Sequence, residues 1–296
     1  MITGCNTLSF VADGDDAKAV ETIAKAGFGS IDLNLNVYAV RRPVSPFWSL
    51  PEAELLHYAE DLKKRADSLG VVFGQVHAPY PTYFEGNGNT EPSEILRIMK
   101  SSILIASALK SHYIVIHPNV PPSAVADGEV EAAVESNFAF YSNFFEDLKR
   151  SNVCVGIENM FNWDKAAGKA LPTVASTAEC MAYMTDRLNE LCGEKCFAAC
   201  LDTGHAMLSG GGDLPHMVHT LGSRLKLLHV HDNDAQRDRH WLPFDGVVDW
   251  KAFAKALAEE HYGGILSLEI KTDAEQADNA FSAAEKLKLL IKEFSE

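Results

Sequence analysis

Leu225-Lys226-Leu227-Leu228-His229-Val230-His231-Asp232-Asn233 is the stretch that decides the fold. Its first half is nearly continuous in leucine, as a strand covered on both faces of a parallel sheet requires. It then turns abruptly polar. His229 and His231 are two residues apart, so on a strand both point to one side, with His229 a layer deeper and expected in the core or behind a ligand. Similar apolar runs occur at 6–10, 30–35, 71–76, 113–117, 153–158, 197–202 and 265–270, which with 225–231 makes eight.

Amphipathic segments lie between them. They cover 17–26, 51–69, 92–109, 130–150, 177–191, 250–260 and 278–294, with a shorter one at 213–221. Ser49-Leu50-Pro51-Glu52 is a helix start with proline near the first turn. Strands alternating with helices pair in parallel, either as an open doubly wound sheet or as a closed barrel. An open sheet that binds a nucleotide needs a glycine-rich turn after an early strand. Val11-Ala12-Asp13-Gly14-Asp15 is not one, so no nucleotide cofactor is expected. Ser209-Gly210-Gly211-Gly212 lacks a Lys-Ser or Lys-Thr ending and reads as a flexible loop. No Pro-, Gly- or Ser-rich linker divides the chain, and 296 residues suit an α/β barrel of roughly 250 residues with extensions. The expected fold class is α/β, a (β/α)8 TIM barrel, with residues 1–296 forming a single domain.

Composition narrows the function. With 47% apolar and 23% charged residues the chain can bury a large core, which excludes disorder and low complexity as descriptions of the whole. The 26 basic and 41 acidic residues give a net charge of −15, which weighs against duplex nucleic acid as a partner. No run of about 18 apolar residues is present, so no membrane span is expected. Met1-Ile2-Thr3-Gly4-Cys5-Asn6 lacks the basic and apolar parts of a signal peptide. Cys5, Cys154, Cys180, Cys192, Cys196 and Cys200 are scattered, which fits reduced thiols and a cytoplasmic location better than a disulfide framework. The four-residue spacing of Cys192, Cys196 and Cys200 is not that of common zinc sites. The sequence is compatible with a homo-oligomer.

The chemistry gathers where the strands end. The third run closes on Gln75-Val76-His77 and the fourth on Ile116-His117-Pro118-Asn119. The fifth closes on Gly156-Ile157-Glu158-Asn159, the sixth on Leu201-Asp202-Thr203-Gly204-His205, and the eighth on Ser267-Leu268-Glu269. In a parallel barrel all C-terminal strand ends meet on one face. Carboxylates and imidazoles crowded there repel or desolvate one another unless a cation joins them. The mixture suits Mn, Zn, Co or Mg.

This ordered set of motifs, from about Asn6 to Glu269, resembles the xylose isomerase-like barrel superfamily, which includes sugar isomerases and epimerases, inosose dehydratases and the endonuclease IV group. Likeness to its tagatose and psicose 3-epimerase branch implies one divalent metal held by Glu158, Asp202, His231 and Glu269. It also implies substrate contacts from His205 and Arg237; His77, His117 and Asn119 are further candidates. Epimerisation or aldose–ketose isomerisation removes a weakly acidic proton beside a carbonyl. A divalent cation polarises that carbonyl and steadies the enediolate. Glu158 and Glu269 are expected as the acid/base pair while also binding metal. The resemblance therefore implies an isomerase acting on a small sugar or polyol, phosphorylated or not.

Two alternatives stand beside it. One is a sugar or polyol dehydratase of the same fold. The other follows the endonuclease IV pattern, a trinuclear phosphodiesterase on abasic DNA. It would add His77, His117, His205, Asp238 and His240 to the metal ligands, and Asp238-Arg239-His240 is its sharpest match. The charge of −15 opposes it. Arg41, Phe47 and Trp48, or Trp241-Leu242-Pro243-Phe244, read either as a lid over a sugar or as loop packing, and Tyr80 and Tyr83 as pocket lining. Lys271 is the one nearby base after the last motif that could serve a phosphate. His57, His112, His216, His219 and His261 fall in or beside helix-like segments and read as ordinary surface or packing residues.

Overall fold

The computed structural model describes residues 1–11, 14–40, 43–80, 90–119, 130–209 and 211–296. The chain runs β1 (Ile2–Asn6), α1 (Asp16–Ala26), β2 (Ser30–Asn34), α2 (Glu52–Leu69), β3 (Val72–His77), α3 (Pro92–Ala108) and β4 (Tyr113–Val115). It continues through α4 (Val130–Ser142), α5 (Phe145–Ser151), β5 (Cys154–Glu158), a hairpin β6 (Phe161–Asp164) and β7 (Lys169–Pro172), and α6 (Ala178–Cys192). The last third holds β8 (Phe197–Asp202), α7 (Thr203–Ser209), α8 (Leu214–Leu221), β9 (Leu225–His229), α9 (Trp250–Glu259), β10 (Ile265–Leu268) and α10 (Ala277–Ser295).

Eight parallel strands pair in the order β10-β1-β2-β3-β4-β5-β8-β9. The ring closes through one bridge, Val230 to Leu268, where Val230 N donates to Ser267 O (2.8 Å) and Glu269 N to Val230 O (3.1 Å). The architecture is the expected (β/α)8 barrel.

Local chemistry explains the element ends. Gly27, Gly70 and Gly193 close α1, α2 and α6 in the left-handed conformation that glycine adopts without strain. Asp15, Thr177, Asp213 and Asp249 cap α1, α6, α8 and α9 with side-chain oxygens. The first strand is a correction: it spans Ile2–Asn6, not 6–10. Asn6 Oδ1 accepts from Leu8 N (2.9 Å) and Phe10 N donates to Thr7 O (2.8 Å), so the chain turns immediately after Asn6. The expected helix over 130–150 is two helices, α4 and α5, and the hairpin and α7 had no counterpart in the sequence reading.

The barrel interior is graded from bottom to top. Val115, Cys154, Ala198, Cys200 and Leu227 form a small, dry cluster low in the ring. Two or four residues further along their strands, alternation carries the same inward side to Glu158, Asp202, His229 and His231. All six cysteines are free, and burial holds the Cys154 and Cys200 thiols protonated, pushed up to about 12. Among the described residues no helix is long and apolar enough to cross a membrane.

Candidate metal centre

Glu158 is the hub of the C-terminal face and is buried. Its Oε2 lies 3.0 Å from His117 Nε2 and 3.6 Å from His77 Nε2. Its Oε1 lies 3.1 Å from His229 Nδ1 and 3.4 Å from His205 Nδ1. Burial resists ionisation of Glu158, but His229 and His117 overcome it and hold the carboxyl well below its ordinary range. Glu269 follows the same pattern: its Oε2 is 2.9 Å from His229 Nδ1, and its carboxyl is held low against burial by His229 and then His77. On the other flank His231 Nε2 sits 2.9 Å from Asp202 Oδ1.

The loop after β9 completes the ring. His240 Nε2 lies 2.8 Å from Asp238 Oδ2, and His205 Nε2 lies 3.8 Å from the same oxygen. Asp232 anchors this loop from below. It accepts from Asn233 N (2.9 Å), Val248 N (3.1 Å) and Trp250 Nε1 (2.7 Å).

The donor set fits a divalent metal. His77, His205 and His240 donate Nδ1–H to the carbonyls of Ala78 (2.7 Å), Asn159 (2.9 Å) and Glu269 (2.8 Å). That commits each Nδ1 and leaves Nε2 facing the site, where an ion would take the place of any proton it carries, the usual way a protein orients metal-binding imidazoles. His77 Nε2 and His117 Nε2 face each other at 3.1 Å. Asp238 Oδ1 is buried with no hydrogen-bond donor among the described residues. Ligand atoms converge within 4.8 Å in four overlapping groups: His77–Glu158–His229, Asp202–His205–His231, His231–Asp238–His240, and Glu158–Asp202–His229–Glu269.

The groups open on a cavity of about 590 Å3. Asn34, Asn36 and Asn162 line it with amides, and Tyr80, Phe161 and Trp163 with rings. Phe161 and Trp163 come from the β6–β7 hairpin, whose paired strands Phe161–Asp164 and Lys169–Pro172 follow directly on the strand end that carries Glu158.

Most residues singled out in the sequence meet here, namely His77, His117, Glu158, Asp202, His205, His231, Asp238, His240 and Glu269. Two do not line the cavity. Asn119 is tied to α4, its N and Nδ2 donating to Asn137 Oδ1 (2.7 Å) and Ser136 Oγ (3.2 Å). Arg237 is exposed and stacks on Trp163 with its guanidinium carbon 5.4 Å from the ring centre. The lid reading of Phe47 and Trp48 is corrected: Phe47 stacks on Tyr38 at 3.8 Å and Trp48 is wholly buried, so both pack the loop. Phe244 packs on Trp250, and Trp241 lies under Arg239. Arg41, Tyr83 and Gly210 lie outside the described residues. His57, His216 and His219 pair with Asp61, Glu179 and Glu260 on the surface.

The match to the xylose isomerase-like TIM barrel family model spans residues 20–292. The chain belongs to that family. Two curated relatives of this family member are an uncharacterized protein, y4fM, of Sinorhizobium fredii (28% identical, covering 60% of this chain) and an uncharacterized protein, MJ1311, of Methanocaldococcus jannaschii (24% identical, covering 75% of this chain and 69% of the relative). The first match spans about half of that relative's length, 53%. Several solved structures superpose over nearly the whole chain. A D-tagatose 3-epimerase-like protein gives a TM-score of 0.75 at 20% identity, covering 99% of both chains. The IOLI protein with a binding zinc atom gives 0.71 at 18%, covering 99% of both chains. D-psicose 3-epimerase in the presence of D-fructose gives 0.70 at 15%, covering 100% of both.

Two tests arise from this geometry. A methyl group on Gly204 would overlap the His231 ring. Gly204→Ala is therefore expected to displace His231 from Asp202 and to weaken divalent-metal binding at least tenfold by calorimetry; unchanged affinity would show that the ring yields freely. The second concerns pH. Burial lowers the His240 pKa, but Asp238 more than reverses that and raises it from 6.5 to about 9. A raised histidine stabilises the fold fully below pH 6.5 and loses that contribution as pH climbs through about 9. Metal-free protein should thus melt at lower temperature at pH 9 than at pH 6.5; a flat or rising Tm would remove the charged His240–Asp238 pair.

Proposed function

We propose that the chain is a divalent-metal-dependent isomerase or epimerase of sugars or sugar phosphates, moving a proton beside a carbonyl. One observation carries this reading. A buried carboxylate from β5, Glu158, and a partly exposed one just after β10, Glu269, converge on one imidazole nitrogen beneath a polar cavity. A cavity of about 590 Å3 is of the size that holds small ligands. Its Asn34, Asn36 and Asn162 amides suit a polyhydroxylated ligand, and Trp163 offers a flat apolar wall.

Glu158, Asp202, His231 and Glu269 would hold the ion. When bound, such an ion polarises the substrate carbonyl and makes the adjacent proton more acidic. One of the two glutamates takes that proton and the other returns one from the opposite face, which inverts the carbon. His205, fixed by the Asn159 carbonyl, presents Nε2 for a substrate hydroxyl or developing oxyanion. Arg237, on the rim against Trp163, stands at the entrance.

A second reading, a multinuclear phosphodiesterase on abasic DNA, draws support from His205 and His240, which both face Asp238. The charge of −15 disfavours it. Elemental analysis of purified protein separates the two, run beside ketose epimerisation in D2O and nicking of abasic duplex. One ion with deuterium entering a ketose supports the isomerase. Three tightly held zinc ions with nicking and no exchange would overturn it.

A further inference from the structure

Barrel interiors are ordinarily filled by branched apolar side chains in layers. One layer here is polar. Asp32 in β2 is wholly buried, and its Oδ2 accepts from Gln75 Nε2 (3.0 Å), Asn6 Nδ2 (3.2 Å) and Ser267 Oγ (3.4 Å). His229 Nε2 lies 3.3 Å from the same oxygen. The opposite ring nitrogen, Nδ1, lies 3.1 Å from Glu158 Oε1 and 2.9 Å from Glu269 Oε2. His229 is itself wholly buried and stacks on His77 with ring centres 5.3 Å apart. The imidazole therefore joins a carboxylate in the floor to two carboxylates in the site.

Burying such groups is costly unless each is paired. The pairing runs in one direction, from four strands that hold Asp32, through one ring, to two glutamates on the fifth and last barrel strands. A carboxylate behind an imidazole sets the orientation of the ring in a metal site, and here the ring's other nitrogen faces two glutamate oxygens.

We propose that Asp32 and His229 are a positioning pair that sets the separation of Glu158 and Glu269 for divalent-metal binding. The inference rests on the metal-dependent reading above. Asp32 lies against one ring nitrogen and one oxygen of each glutamate against the other, as close ion-pair contacts and not aligned hydrogen bonds, so the ring sets how far apart those two oxygens stand.

The test uses the full chain, stripped with chelator and titrated with Mn2+ by calorimetry, with circular dichroism as a check on folding. Asp32→Asn and His229→Gln are each expected to weaken Mn2+ binding about 10- to 100-fold. The double variant should bind no more weakly than the worse single one, because the two act in series. His229→Asn, whose amide nitrogen falls near the position of Nδ1, should retain more affinity than His229→Gln. A merely structural role would not distinguish these two. Folded variants with wild-type affinity, or additive losses, would overturn the pair. Crystals of the wild-type chain with Mn2+ give an arm independent of variant folding. His229 Nδ1 within about 3.3 Å of both glutamates and outside bonding distance of the ion supports the proposal; a direct His229–Mn bond overturns it. Failure of the wild-type chain to bind any divalent ion would sink the metal reading itself, and the pair with it.

Discussion

Glu158→Gln is expected to abolish turnover, with epimerisation of a ketose falling about 1,000-fold or more. The amide keeps the size of the side chain but loses its charge and its ability to take a proton. Glu158 has lost water by burial, and His117, His205 and His229 all lie within 3.4 Å of its two oxygens. A neutral group there leaves those imidazoles without their common partner, so metal affinity should fall with the rate. Glu269→Gln is expected to act similarly, with one difference to watch. If the two glutamates are the proton acceptor and donor on opposite faces of the carbon, each variant stops epimerisation even at saturating metal, while exchange of a proton facing the remaining glutamate persists. Appreciable epimerisation at saturating Mn2+ in either variant removes that residue from the acid/base pair.

The largest effect on stability is expected away from the glutamates. Asp232→Ala would strip the acceptor from three donors, the Asn233 and Val248 amides and the Trp250 indole. Asp232 and Asn233 are wholly buried and Trp250 nearly so, and the partners left behind find no water. Unpaired buried donors cost about 1–3 kcal/mol each. A total near 3 kcal/mol lowers Tm by roughly 6–12 °C, at about 2–4 °C per kcal/mol. The loop that carries Asp238 and His240 starts at this anchor, so metal affinity should drop in the same variant. A Tm within 2 °C of wild type, measured by calorimetry with and without Mn2+, would show that the loop is held elsewhere.

The barrel was legible because its strands are covered on both faces and so read as apolar runs, and because each ends in groups that water or a metal must satisfy. That logic located Glu158, Asp202, His205, His231 and Glu269 without any contact being known. It misplaced the first strand because Thr7-Leu8-Ser9-Phe10 is as apolar as Ile2–Asn6, and the Asn6 side chain that turns the chain leaves no periodic trace. It missed the hairpin because Phe161–Asp164 and Lys169–Pro172 are short and half-exposed, with neither strand able to show a buried face. Phe161 and Trp163 therefore went unread as cavity walls, and the aromatic residues of the earlier loop were considered in their place. Asp32 was invisible for another reason: Ser30-Ile31-Asp32-Leu33-Asn34 alternates, which marks a side but not whether that side meets water or four other strands of a closed ring.

The ring itself is joined at a single narrow place, where Val230 meets Leu268. His231 stands one residue beyond Val230 and Glu269 one beyond Leu268. An ion held by both would lie across this join like a clasp on a bracelet. Anything that binds the closed form preferentially stabilises it by mass action, and local opening is easiest where the fewest bonds must break. Hydrogen exchange at the Val230 and Glu269 amides should then slow on loading with Mn2+ far more than at the centre of β2, so occupancy of the centre becomes readable from two backbone protons without any substrate.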